Sequence, residues 1–302
     1  MPLSDLTIII PCYNEKNNIP ISIPPIIDFC KKKNCHLIIV NDGSKDDSLS
    51  ELKKLSNPCM KIISHKVNCG YGAAIQTGVK LANSKYVVTI DADGQHKLEN
   101  IEKLYNKAIS ENADMVVGER QIGKSEASFY RLIGKFCIRL TISMLMKNEI
   151  KDTNSGMKLY SREIAIKLFP LCPKNMSYSD IILLLFLHYK CRVSSVPITI
   201  NPRTGGVSTI NTFTAINSLY EMGLIIMLFH PLKVFSRIAV LFATIGVIWA
   251  IRCYLISSIL SAISSTLFAI STIIFFDGII IEQICRHRKQ MIDIKNYIQE
   301  NS

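Results

Sequence analysis

Over roughly the first 120 residues, short apolar runs alternate with longer stretches of mixed polarity. The runs at 6–10, 36–40, 61–64, 86–90 and 114–117 read as strands, and the stretches near 25–33, 46–55, 73–82 and 99–110 read as helices. This βαβα order predicts an α/β fold, a mainly parallel sheet covered by helices. Ligand-binding groups then belong on the loops that follow the C-terminal ends of the strands. Neither an internal repeat nor a low-complexity tract interrupts the pattern.

Beyond residue 237 the pattern changes. Residues 238–281 are apolar apart from some hydroxyls and only two charges, Arg252 and Asp277. As one helix these 44 residues would run about 66 Å, twice a hydrocarbon core of about 30 Å. The segment must fold back, and Ser257, Ser258 and Ser261 mark the turn between spans at about 238–257 and 262–281. Lys233 and Arg237 precede the pair, and Arg286, Arg288 and Lys289 follow it, so both ends are expected on the cytoplasmic side. Arg252 and Asp277 fall at different depths and are not expected to pair; each can snorkel to an interface. A buried soluble hairpin would need a polar face on each helix, which the pattern lacks. The expected organisation is a cytosolic domain over 1–230, a transmembrane hairpin over 231–285 and a cytoplasmic basic tail over 286–302.

Residues 128–147 have helical spacing, with Arg131, Lys135 and Arg139 on one side and Phe129, Ile133, Phe136, Leu140 and Met144 on the other. Such a basic amphipathic helix suits the headgroup plane of a membrane. A second candidate spans 213–229 and ends at His230-Pro231. The plainer alternative for both is a core-facing helix with a solvated basic face.

Composition sharpens this picture. The chain has 302 residues, 48% of them apolar, and a mean hydropathy of +0.24, which excludes a disordered chain. Its net charge is +11; the apolar block is balanced and the tail after it, with four basic and three acidic residues, carries +1, leaving +10 on residues 1–237. That part must meet anions. Nucleic acid is not the expected partner, because aromatic residues make up only 8% of the chain and the cations accompany apolar stretches. The ten cysteines form no Cys-x-x-Cys pair and are expected to be reduced thiols facing the cytosol. The start of the chain lacks the basic opening and cleavage pattern of a signal peptide, so the N-terminus is expected in the cytosol as well.

Three acidic loops converge on one predicted sheet edge. After the first strand comes Pro11-Cys12-Tyr13-Asn14-Glu15, after the second Asn41-Asp42-Gly43-Ser44, and after the fourth Asp91-Ala92-Asp93-Gly94-Gln95-His96. Singly, an Asp-Gly pair is a turn and an Asp-x-Asp a solvated loop. Together, in a basic protein, they suggest a bound Mg²⁺ or Mn²⁺ sharing its ligands with a diphosphate. His96 either contacts that diphosphate or simply stands exposed. The run Asn68-Cys69-Gly70-Tyr71-Gly72 precedes a helix, and its glycines either let a phosphate approach backbone N–H groups or serve tight packing. It is neither a dinucleotide fingerprint nor a P-loop.

To these pieces are added Gly118-Glu119-Arg120, the run from Asp152 to Lys158 and the run from Arg203 to Ser208. In this order they resemble glycosyltransferase family 2, in the group that loads sugars onto polyprenyl phosphates such as dolichyl or undecaprenyl phosphate. The resemblance implies a GT-A type sheet with helices on both faces. It also implies inverting, metal-dependent transfer of one sugar from a UDP- or GDP-sugar at the cytoplasmic membrane face. It implies that Pro11, Tyr13, Glu15, Asp42, Gly43, Ser44, Asn68, Gly70, Asp91 and Ala92 hold the nucleotide sugar. Asp91, Asp93 and Gln95 would hold the metal, and Asp93, Arg120, Asp152 and Arg203 would carry catalysis. Arg120, Arg131, Lys135, Arg203 and Ser208 would meet the lipid phosphate. Met157 stands where the family commonly has an aromatic residue.

A phosphate monoester is largely dianionic at neutral pH, so cationic positioning matters more than proton removal. Arg120, Arg131 and Arg203 are the candidates for offsetting repulsion between two phosphate-bearing substrates. Asp152 reads equally as a base, a group that orients the acceptor or a helix cap. A processive synthase would show a Gln-x-x-Arg-Trp segment, yet the single tryptophan, Trp249, lies inside the first span. A non-processive transferase extending a lipid-linked glycan is the runner-up, and a silent membrane scaffold would have no need of the intact Asp91/Asp93/Gln95 cluster. The sequence leaves room for a homo-oligomer.

Overall fold

The computed structural model describes residues 2–120, 152, 155–201, 231–257 and 262–290. The chain divides into two compact units; the described residues up to 201 belong to the first and those from 231 onward to the second.

The first unit is a seven-stranded sheet. Its strands are β1 (Leu6–Cys12), β2 (His36–Asn41), β3 (Met60–Ser64), β4 (Tyr86–Thr89), β5 (Met115–Arg120), β6 (Lys158–Ser161) and β7 (Val193–Ile198), in the order β3-β2-β1-β4-β6-β5-β7. Neighbours are parallel except that β6 runs antiparallel to both β4 and β5, with Thr89 and Val117 each opposite Lys158. The order reverses between β1 and β4, which is where open α/β sheets form their crevice.

The helices are α1 (Ile19–Lys33), α2 (Ser48–Lys54), α3 (Tyr71–Leu81), α4 (Leu98–Ser110), α5 (Arg162–Leu168) and α6 (Tyr178–His188). Both faces of the sheet are covered. Leu6, Ile8 and Ile10 pack with Ile19, Ile23 and Ile27 of α1 and Ile101, Leu104 and Ala108 of α4. On the other face Gly78 of α3 lies so close to Ile9 that an added Cβ would stand 2.6 Å from its Cγ2.

The predicted strands and helices of residues 1–120 are present, with one boundary corrected. Helix α1 begins at Ile19 rather than near residue 25, although Pro24 and Pro25 lie inside it. Prolines remove helical hydrogen bonds, but the buried stripe Ile19, Ile23, Ile26, Ile27 and Cys30 is continuous through them, and packing onto the sheet outweighs that loss. The basic helix read at 128–147 and the candidate at 213–229 lie outside the described residues.

The second unit is a hairpin of two helices, α7 (Pro231–Ser257) and α8 (Ala262–Gln290). Each starts or ends beyond the predicted span, α7 seven residues before 238 and α8 nine residues after 281. Small residues bring the helices together. A Cβ on Gly278 would stand 2.6 Å from the Cβ of Phe235, one on Gly246 would stand 3.3 Å from that of Leu267, and Ser271 Oγ donates to the Ala239 carbonyl at 2.8 Å. Both helices are long and apolar enough to cross a membrane, with mean hydropathies of 2.1 and 1.8, and only 11% of each apolar window is buried. Core helices of a soluble protein would bury most of that surface.

Candidate functional site

The loops after β1 and β2 are laced together at the sheet edge. The Asn14 N–H donates to Ser44 Oγ at 3.0 Å, the Glu15 N–H to Ser48 Oγ at 2.8 Å, and the Lys45 N–H to Asn14 Oδ1 at 2.8 Å. Asn14 takes a positive φ of 55°, and the neighbouring Tyr13 is exposed. The Glu15 carboxylate accepts from Asn18 Nδ2 at 2.6 Å, at the start of α1.

Asp42 is buried and fastens a third loop to these two. Its Oδ1 accepts from the Cys69 N–H at 2.9 Å and meets His65 Nδ1 at 2.7 Å, while its Oδ2 accepts from the Gly70 N–H at 2.8 Å. His65 Nε2 in turn meets Thr77 Oγ1 at 3.0 Å. Gly43, at φ 64°, lets the backbones touch, since a Cβ there would stand 2.4 Å from the carbonyl carbon of Val67. Asp42, His65 and Cys69 place three donor atoms within 4.8 Å of one another. With three hydrogen bonds already on the carboxylate and Thr77 on the far side of the imidazole, the cluster is explained as a clamp between loops.

Of the two readings of the Asn68–Gly72 run, the structure displays tight packing. The N–H groups of Gly72 and Ala73 at the start of α3 donate to the carbonyls of Asn175 and Lys174 at 3.2 and 3.0 Å. A Cβ on Gly70 would stand 2.4 Å from the Lys174 carbonyl oxygen and one on Gly72 would stand 2.6 Å from that of Pro173. These N–H groups are therefore not presented to a phosphate, a correction to the phosphate-cradling alternative.

Asp91 follows β4 beside the point where the strand order reverses. Tyr71 Oη donates to its Oδ1 at 3.0 Å, and His96 Nε2 faces its Oδ2 at 3.5 Å. Partial burial works against ionisation, but His96, Tyr71 and the Arg120 charge outweigh it and hold the carboxyl below its ordinary range. Its side chain is 37% exposed, so an ionised carboxylate faces the open edge. Gly156 is what makes room for it, because a Cβ there would stand 2.5 Å from Asp91 Oδ2. The loop itself is pinned: Ala92 O accepts from Ser22 Oγ at 2.9 Å, the Gln95 N–H donates to Asp93 Oδ1 at 3.1 Å, and Gln95 O accepts from the Asn201 N–H at 2.8 Å. Asp91, Asp93 and Gln95 are hard oxygen donors on one turn, a set that fits Mg²⁺ or Mn²⁺. His96 is not exposed: its side chain is 7% accessible, and Nδ1 is buried with no partner among the described residues.

Arg120 ends β5 and pairs with Asp152. Nε donates to Oδ2 at 2.7 Å and Nη2 to Oδ1 at 3.0 Å, and the Arg120 backbone N–H reaches Oδ2 at 3.2 Å. Burial would raise the Asp152 pKa, but the Arg120 fork prevails and holds it low. Of the three readings of Asp152, the base is the one its surroundings oppose, since both oxygens are occupied and proton affinity is reduced. Behind this pair lies a cation to which the sequence reading gave no role. Lys158 is 1% exposed and donates to the Ser155 carbonyl at 2.6 Å and to Ser179 Oγ at 2.5 Å. Burial lowers its pKa to about 8. Its one mark in the sequence was its place at the end of the run from Asp152 to Lys158. Arg131, Lys135, Arg203 and Ser208 lie outside the described residues.

Residues 7–169 match the family model for glycosyl transferase family 2, and residues 230–287 match a model described as the GtrB C-terminal hairpin. A dolichyl-phosphate beta-glucosyltransferase of Dictyostelium discoideum is 29% identical over 55% of the chain, which spans 56% of that protein's length. An undecaprenyl-phosphate 4-deoxy-4-formamido-L-arabinose transferase of Proteus mirabilis is 27% identical over 86% of the chain and 79% of its own length. Among solved structures, glucosyl-3-phosphoglycerate synthase from Mycobacterium tuberculosis, in complex with Mn²⁺, UDP and phosphoglyceric acid, aligns with a TM-score of 0.56. It is 17% identical, over 73% of this chain and 78% of that one, a likeness of fold.

Proposed function

The chain belongs to glycosyl transferase family 2, and from that premise we propose that it moves a single sugar from a nucleotide sugar to a polyprenyl phosphate at the cytoplasmic face of a membrane. The observation that carries this reading is the pairing on one sheet edge of an ionised carboxylate, Asp91, with the Arg120–Asp152 fork. A donor needs the first and an anionic acceptor the second. The hairpin supports a lipid acceptor, as does the match to the Proteus mirabilis transferase, which extends over most of both chains.

In this reading the loops of Tyr13, Asp42, Ser44 and Asn68 form the nucleoside side of the site, and Asp42 acts by holding them in register. Asp91, Asp93 and Gln95 would hold the divalent cation, which when bound supplies Lewis-acid stabilisation of the departing diphosphate. Arg120 orients the acceptor phosphate, and Asp152 fixes the plane of its guanidinium. Arg203, Arg131, Lys135 and Ser208 are assigned to the same phosphate. A phosphate oxygen attacks the anomeric carbon as the bond to the nucleoside diphosphate breaks, with inversion. A dianionic phosphate needs no general base, which agrees with an Asp152 whose oxygens are already engaged.

The test is incubation of membranes containing the protein with labelled UDP- and GDP-sugars, polyprenyl phosphate and Mn²⁺ or Mg²⁺, alongside Asp93→Ala. A labelled lipid that depends on Asp93 is the expected result. No labelled lipid across a broad donor panel favours a transferase that extends a lipid-linked glycan. A cysteine-accessibility map should place both ends of the hairpin on the cytoplasmic side.

A further inference from the structure

At the open end of the hairpin the two helices leave a groove of about 390 Å³, lined by Leu232, Lys233 and Ser236 of α7 and Phe275, Glu282 and Arg286 of α8. Gly278, one turn from Glu282 on α8, lets the helices approach closely at Phe235. Lys233 lies 24 residues before Ser257, and Arg286 lies 24 residues after Ala262. At about 1.5 Å per residue both cations stand about 36 Å from the connected end, just beyond a hydrocarbon core of about 30 Å. They share the headgroup level. Among the described residues neither has a carboxylate within 4 Å. Phe275 lines the same groove toward the apolar side and is 42% exposed, a surface for an acyl chain.

We propose that this groove binds the phosphodiester head of an anionic phospholipid, with Lys233 and Arg286 on the phosphate and one acyl chain along Phe275. The charge decides between phosphate classes. Two cations and the Glu282 carboxylate leave one net positive charge, which a monoanionic phosphodiester balances, whereas a phosphate monoester brings about −1.5 to −2. Glu282 is held at the start of α7, its Oε2 lying 3.5 Å from the Leu232 N–H, so it faces the positive end of that helix. The site rests on the reading that the hairpin lies in a bilayer.

The full-length protein is first floated with phosphatidylcholine vesicles, then its retained lipid is measured by native mass spectrometry from bilayers with and without phosphatidylglycerol. Two cations each worth about fivefold predict a preference for phosphatidylglycerol on the order of 30-fold. Lys233→Gln with Arg286→Gln should remove it, Arg252→Gln near the other end of α7 should not, and Ser236→Phe, which fills the groove without changing charge, should also remove it. A preference that survives both groove variants overturns the proposal. So does a site that takes polyprenyl monophosphate in preference to phosphatidylglycerol, or that inorganic phosphate empties. Failure to float with the vesicles overturns the membrane reading itself, a separate result.

Discussion

Arg120 and Asp152 meet as a two-pronged fork, Nε to Oδ2 at 2.7 Å and Nη2 to Oδ1 at 3.0 Å, across 32 residues of sequence. Each therefore fixes the other, and neither can be treated as an independent group.

Asp152→Asn should cost about 1.5–3 kcal/mol, because the fork loses its charge assistance in a largely buried place. Since the folded Asp152 pKa lies below its unfolded value, this stabilisation is present above the unfolded pKa and is lost as pH falls through the folded one. Thermal unfolding from pH 7 down to pH 3 should show a smaller acid loss in the variant. A double-mutant cycle with Arg120→Lys should give strong coupling in transfer activity; additive effects would separate the two residues.

Gly156→Ala should displace Asp91, whose Oδ2 lies 2.5 Å from where the new Cβ would stand. Disturbing a ligand's support typically costs 10- to 100-fold in metal affinity. Titration calorimetry with UDP and Mn²⁺ checks this, and unchanged affinity would mean that Asp91 does not take part in the site.

Chelation of divalent cations should abolish transfer, and Mn²⁺ or Mg²⁺ should restore it in the wild type but not in Asp93→Ala. Transfer that persists in a chelator would remove the proposed role of Asp91, Asp93 and Gln95.

Lys158 supplies a test on the alkaline side. Its folded pKa is lowered to about 8 from 10.5, so between those values the unfolded chain holds the proton and the folded one does not. Stability from this group therefore rises with pH across that window, by on the order of 3 kcal/mol in total. Lys158→Met should flatten the rise, measured as the difference between the two proteins' unfolding curves from pH 7.5 to 10.5.

The strands of the first 120 residues and the Asp-rich loops were legible because both are local signals, apolar runs and short polar motifs at their ends. Three features were not. The start of α1 was hidden by Pro24 and Pro25, whose local preference is overruled by an isoleucine stripe that packs on the sheet. The insertion of β6 between β4 and β5 depends on four residues, Lys158–Ser161, too few to reveal a direction. Asp42 and Arg120 were picked out as ligands to substrate, but their partners Cys69, Gly70 and Asp152 lie 27, 28 and 32 residues away, and no spacing rule reports a hydrogen bond across such distances.

Because β6 runs against its neighbours, the chain leaves the sheet at the end of β5 and re-enters it from the same rim, with Val117 opposite Lys158. The residues just ahead of β6 touch both sides of the site, Asp152 at Arg120 and Gly156 at Asp91. A shift of β6 along its neighbours would therefore move both sides together, the Asp91 carboxylate and the Arg120 guanidinium.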